Sequence, residues 1–167
     1  MEEKEYPMNN PGALKVTTPT DREIVMTRVF DAPRNLVFDA YTKPEFLKRW
    51  LTGPIGWSLE VCEIDLRVGG AYRYVWRGPD GQKLGMSGVH REVVPPERIV
   101  VTALFDEDWT GGETINTLVL TEQGGKTTLT NTVLYSSKEA RENALCTGME
   151  EGMAAGYNRL AELLAGR

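Results

Sequence analysis

Residues 136–165 read SSKEARENALCTGMEEGMAAGYNRLAELLA. Leu145, Met149, Met153, Tyr157, Leu160 and Leu164 recur at intervals of three and four, the spacing that gathers side chains on one face of an α-helix. Ser136 followed by Glu139 is a capping-box pattern, which supplies partners for the first amides of a helix. The segment therefore predicts one amphipathic helix of about 25 residues, roughly 38 Å long at 1.5 Å per residue. Its charged run 138–142 reads as the solvated first turn. An apolar stripe of that length needs a surface to cover, and the rest of the chain must supply it.

Working back from the helix, strand character runs through 57–66, 70–77, 84–94, 97–106, 113–121 and 126–135. Turn chemistry separates these segments at Gly69-Gly70, Pro79-Asp80-Gly81, Pro95-Pro96, Gly111-Gly112 and Gly124-Gly125. Connections that short join antiparallel neighbours. Further upstream, 22–30 (REIVMTRVF) alternates as a first strand, with Ile24 and Met26 on one face and Arg28 following their parity. Pro33 suits the first turn of a helix carrying Leu36, Val37, Ala40 and Tyr41. Thr42 and Glu45 form a second capping box, before a short helix with Phe46, Leu47 and Trp50 on its apolar side.

The order is strand, two short helices, six strands, one long helix. It predicts an α+β helix-grip fold: a curved seven-stranded antiparallel sheet with the C-terminal helix packed over the concave face. A helix laid across a curved sheet leaves room for a pocket. Residues 1–20, with Pro7, Pro11, Pro19, Asn9 and Asn10, read as a flexible N-terminal arm, and 21–167 as a single domain.

Composition narrows the partners. The net charge is -5, where a nucleic-acid binder needs a basic excess to meet phosphates, so no nucleic acid is expected. No apolar run approaches the ~20 residues of a membrane span, so no membrane insertion is expected either. The N-terminus has neither the basic nor the apolar region of a signal peptide. Cys62 and Cys146 stand alone, which fits a reducing cytoplasmic setting and builds neither a disulfide scaffold nor, with the single His90, a zinc set. No cofactor and no metal are expected.

Four segments carry a resemblance: 34–50 (RNLVFDAYTKPEFLKRW), 65–70 (DLRVGG) with the aromatic strand after it, 94–99 (VPPERI) and 148–164 (GMEEGMAAGYNRLAELL). In these the chain resembles the family named for the heat shock protein 90 ATPase activator homologue, of the START and birch-pollen-allergen-like superfamily, over about residues 22–165. The resemblance implies the helix-grip fold and a stress-response setting. It does not imply one activity, because carriers, cyclases, hydrolases and co-chaperone modules share the fold. The family's co-chaperone has an additional N-terminal domain with its own chaperone-contacting motif. Residues 1–20 hold nothing like that motif, so chaperone contact is not expected.

Within 71–77, Tyr72, Tyr74 and Trp76 fall on one strand face, where they would form a stacking wall for a flat ligand or ordinary core. Trp50 and Trp57 flank the Gly53-Pro54 break as pocket mouth or as anchors. In 127–135, Leu129, Asn131, Val133 and Tyr135 form an inward set opposite Thr128, Thr130 and Thr132. Asn131, and Asn116 on the neighbouring strand, then need a neighbour, a water or a ligand to bond. Gly148, Gly152 and Gly156 form a stripe beside Met149, Met153 and Tyr157. Each glycine in a helix costs about 1 kcal/mol against alanine. Room for ligand, a close approach of helix to sheet, or packing in a homodimer would each offset that cost. His90 and Glu92, two apart on a regular strand, share a face and form the one acid–base pair worth considering.

The leading expectation is non-catalytic binding of a small hydrophobic or aromatic molecule. An enzyme of cyclase or hydrolase type using His90 and Glu92 is the second reading, and a protein-interaction module the third.

Overall fold

The computed structural model describes residues 13–107 and 111–166. The elements are β1 (Lys15–Thr17), β2 (Glu23–Phe30), α1 (Arg34–Thr42), α2 (Pro44–Trp50), β3 (Ser58–Ile64), β4 (Ala71–Arg77), β5 (Lys83–Val94), β6 (Arg98–Phe105), β7 (Thr114–Gln123), β8 (Lys126–Leu134), α3 (Lys138–Leu145) and α4 (Met149–Ala165). They make an α+β fold in which one open antiparallel sheet runs β1-β2-β8-β7-β6-β5-β4-β3. The arrangement is consistent with the helix-grip class.

The sheet has eight strands where the sequence predicts seven. The extra one, β1, lies within the stretch read as an arm: Lys15 pairs with Thr27 and Val16 with Met26, and Leu14 and Val16 are buried. Three residues are too few for alternation to register. Residues 1–12 of the arm lie outside the described residues.

Antiparallel pairing puts partners on the same face. Ile24, Met26, Arg28 and Phe30 therefore share a face with Val133, Asn131, Leu129 and Thr127. The register carries that inner face through Asn116, Leu118 and Leu120, then Ile99 and Val101, then Met86 and His90, to Tyr72, Tyr74 and Trp76 and finally Leu59, Cys62 and Ile64. The inner face is the apolar one, as 41% apolar content and alternating strands require.

The long C-terminal helix is two helices. Gly148 has φ 78°, a left-handed conformation that other L-residues rarely adopt, and it caps α4 just after α3 has ended at Cys146. The apolar spacing steps across this break from Leu145 to Met149, so periodicity alone hides it. Ser137, not Ser136, caps α3, accepting from the Ala140 amide at 3.0 Å. Ser136 instead donates to the Gly111 carbonyl at 2.6 Å. Thr42 likewise ends α1, donating to the Phe38 carbonyl, and Lys43 occupies the cap of α2. The charged run of α3 is not all solvated: Arg141 is buried and donates to the Thr20 carbonyl at 2.6 Å.

α4 meets the sheet through side chains. Tyr157 packs edge-on to Phe30 with ring centres 5.9 Å apart, and Arg28 donates to Asn158 at 2.7 Å. Against the helices, Trp50 of α2 stacks on Tyr157, and Arg159 donates to the Trp50 and Gly53 carbonyls.

Candidate functional site

The inner face is unevenly filled. On β2 and β8, Ile24, Met26, Phe30 and Leu129 are fully buried. Across β4 and β5, Tyr74, Trp76 and Met86 are only half-buried, and so are Val101, Asn116 and Asn131. Met149 and Met153 in the first turns of α4 are half-buried as well. Tyr74, Trp76, Val101, Met149 and Met153 pack against the core while keeping some exposure to solvent.

Tyrosine hydroxyls converge on this region. Tyr41 of α1 and Tyr157 of α4 share a hydrogen bond of 2.7 Å, and Tyr157 also bonds the Asn131 side chain. Burial pushes Tyr157 up to about 12, against the pull of Tyr41 and Asn131. Burial first, then the Tyr157 hydroxyl and the nearby Tyr74, raises Tyr41 well above the ordinary value. Tyr74 is raised far by burial, then by Tyr72 and Cys62. Its hydroxyl has no hydrogen-bond partner among the described residues, and it is not sealed from solvent. Burial also lifts the Cys62 thiol to about 11, so it is protonated and unreactive at neutral pH.

These shifts give a pH dependence. Tyrosine loses its proton near 10 in the unfolded chain, whereas Tyr135 and Tyr157 hold theirs to about 12 in the fold. The native state then binds more protons than the unfolded state above pH 10. Stability is therefore at its full value below about pH 10 and falls as the pH rises to about 12. Denaturant midpoints measured across that range should drop, and Tyr157→Phe should make the drop shallower. A flat profile would contradict the burial described.

The residues singled out from sequence divide as follows. Tyr72 is buried, and its hydroxyl is spent on the Thr102 carbonyl at 2.6 Å. Trp76 donates from Nε1 to the Leu51 carbonyl at 2.9 Å, which pins the α2–β3 loop. Trp57 is half-buried beside Gly53 in that loop. Trp50 is not at a mouth: it is 0% exposed, with its Nε1 on the Ala40 carbonyl. Tyr135 is buried at the end of β8, and Asn116 donates to the Thr114 hydroxyl at 3.0 Å.

The glycine stripe does not act as one unit. Gly148 caps the start of α4, the Cβ direction of Gly152 looks into open space at an exposed position, and a Cβ at Gly156 would make only ordinary contact with Trp50 and Arg159.

The acid–base pair fails. A register shift between His90 and Glu92 inserts one residue, a β-bulge, and flips everything beyond it. His90 stays on the inner face, with Nδ1 2.8 Å from the Gly70 carbonyl oxygen. Glu92 turns to the outer face, where it is exposed and paired with Arg98 at 3.1 Å. Among the described residues no group of three or more His, Cys, Asp or Glu could hold a metal ion. Nor is any described helix long and apolar enough to cross a membrane.

Sequence reasoning missed Tyr41, Cys62 and Met86. Tyr41 sits in the apolar stripe of α1, where its hydroxyl gives no periodic signal. The inward placement of Cys62 and Met86 follows only from register with Tyr74. A separate open groove of about 670 Å³ lies toward the other side of β4–β6, lined by Arg73, Ser87, Val89 and Leu104 among others.

Comparison with known proteins agrees with this architecture. A Rhodobacter sphaeroides protein of known crystal structure is 32% identical and superposes with a TM-score of 0.88, over 93% of this chain and 99% of the other. A Mycobacterium smegmatis protein is 30% identical, with a TM-score of 0.79 over 90% and 96%. One from Nitrosomonas europaea is 28% identical, with a TM-score of 0.79 over 89% and 97%. No curated protein matches the sequence. Residues 31–165 match the family described as Activator of Hsp90 ATPase homolog 1-like protein, and the chain belongs to that family.

Proposed function

We propose that the protein binds a small hydrophobic or aromatic molecule, without catalysis, between α4 and the concave inner face of the sheet. The observation that carries this reading is a set of half-buried apolar side chains: Tyr74, Trp76, Met149 and Met153 packed against the core, with Met86 opposite Tyr74 on the neighbouring strand. Well-packed interiors leave few such openings without a use. The unpartnered Tyr74 hydroxyl adds a polar group of the kind that orients a ligand in an apolar pocket. An enzyme reading loses support with the outward turn of Glu92.

The test is a titration with N-phenyl-1-naphthylamine, an uncharged dye that brightens on entering an apolar site. Saturable binding at one dye per chain is expected. Filling the pocket with Met86→Trp should weaken it by about tenfold or more, ~1.4 kcal/mol, while the melting transition stays cooperative. Absence of saturation, or equal binding by a folded Met86→Trp variant, would remove the proposal.

A further inference from the structure

We propose that the pocket takes its ligand as an anion, a small aromatic or aliphatic carboxylate whose charged end meets the Tyr74 hydroxyl and the Lys48 ammonium beside Cys62. This rests on the pocket reading above and names the class of molecule the pocket admits. Charge is the first observation. Among the described residues, Arg28 and Glu122 are the charged side chains whose register puts them on the inner face. Glu122 is engaged, accepting from the Arg34 amide at the start of α1, and Glu150 in the first turn of α4 is engaged as well. The cations are not matched in this way. Arg28 is buried and gives its bond to the neutral Asn158, and Lys48 lies exposed in the last turn of α2. Neither has a carboxylate within ion-pair distance among the described residues. A cation left without its counter-charge favours an anion brought beside it.

Position is the second observation. Cys62 and Tyr74 are partners in the β3–β4 register, side by side on the inner face. Burial raises the Cys62 thiol, and Lys48 of α2, the helix packed against β3, pulls it back. The ammonium therefore acts on the inner face where Tyr74 stands. The Tyr74 hydroxyl has no hydrogen-bond partner among the described residues and is not sealed from solvent. Burial, then Tyr72 and Cys62, keep it protonated at neutral pH. A neutral phenol donates readily to a carboxylate oxygen. Tyr74 also acts on Tyr41, which bonds Tyr157 of α4 at 2.7 Å, so this donor stands under the helices that close the pocket. A donor and a cation at one end of an apolar wall fit the head and body of an organic acid.

Three naphthalenes of similar shape test the inference by calorimetry: 2-naphthoate, the neutral 2-naphthamide and 2-naphthylmethylammonium. The naphthoate should bind about tenfold tighter than the amide, and the ammonium compound weakest of all. Lys48→Gln, at an exposed helix position, should bring the naphthoate to within about twofold of the amide. Tyr74→Phe should weaken acid and amide together, because the amide carbonyl also accepts from the hydroxyl. Amide or ammonium binding as tightly as naphthoate would overturn the anionic class. A preference that survives Lys48→Gln and disappears in Arg28→Met would place the anion at the other cation and overturn the assignment. Unchanged binding in a folded Tyr74→Phe variant would remove the hydroxyl from it, and if that variant does not fold, Lys48→Gln decides. If N-phenyl-1-naphthylamine binds and the naphthoate does not, this inference falls and the pocket reading stands. If neither the dye nor any of the three binds the folded protein, both fall.

Discussion

Trp50→Ala is expected to lower stability by about 3–5 kcal/mol, the range for emptying a large aromatic site in a core. The indole is fully buried and touches each of the helices that close the domain on that side. It donates to the Ala40 carbonyl of α1, stacks on Tyr157 of α4 at 6.0 Å, and tilts against Tyr41 at 4.9 Å. Its own carbonyl receives Arg159. Truncation leaves a void and an unpaired carbonyl at one junction, so the neighbours cannot relax without parting α2 from α4. At about 2–4 °C per kcal/mol for a domain of this size, the melting temperature should fall by roughly 10 °C. A fall of only a degree or two would show that the junction is far more plastic than its contacts imply.

Gly88→Ala is expected to cost about 3 kcal/mol, at the upper end for forced overpacking. A Cβ at Gly88 would overlap the Thr102 carbonyl oxygen and the Tyr72 ring. The carbonyl is backbone and cannot step aside. It also accepts the Tyr72 hydroxyl, so displacing it breaks a buried hydrogen bond. Gly85 is the control on the same strand. There a Cβ would meet the Asp106 carboxylate and the Arg73 guanidinium, the far ends of long side chains in an exposed ion pair. Those ends can swing away, so Gly85→Ala should stay within about 1 kcal/mol. Denaturant midpoints for the pair decide the matter, and equal costs would refute this account.

Most of the sheet was legible because its strands alternate and its turns carry glycine or proline at each reversal. The β5–β6 hairpin is signalled by Pro95-Pro96 as plainly as the β7–β8 hairpin is by Gly124-Gly125. Parity within each strand then grouped Tyr72, Tyr74 and Trp76, grouped Leu129, Asn131 and Val133, and put His90 and Glu92 on one face. It failed at Glu92 because a bulge adds a residue without changing composition, and no residue type near Arg91 announces it. Periodicity failed at Gly148 for a related reason: the three- and four-residue spacing survives a break that only the left-handed φ reveals. The candidate site was legible in its aromatic strand and not in its hydroxyl chemistry. Which tyrosine oxygens are spent, as in Tyr72 and Tyr157, and which is free, as in Tyr74, depends on distances between segments far apart in sequence.

The sheet is open, so it ends in two edges, β1 and β3. An exposed strand edge is a template for joining another chain, and soluble proteins blunt it with brevity, bulges and charge. Here β1 is three residues long. Along β3 the ladder is interrupted between Leu59 and Val61, and the intervening Glu60 is held by Lys83 at 3.1 Å and Arg77 at 3.4 Å. Glu63 adds a second exposed carboxylate to the same strand. Among the described residues neither edge offers a run of flat, unguarded backbone, so strand-to-strand association between copies is opposed at both ends by the way the sheet stops.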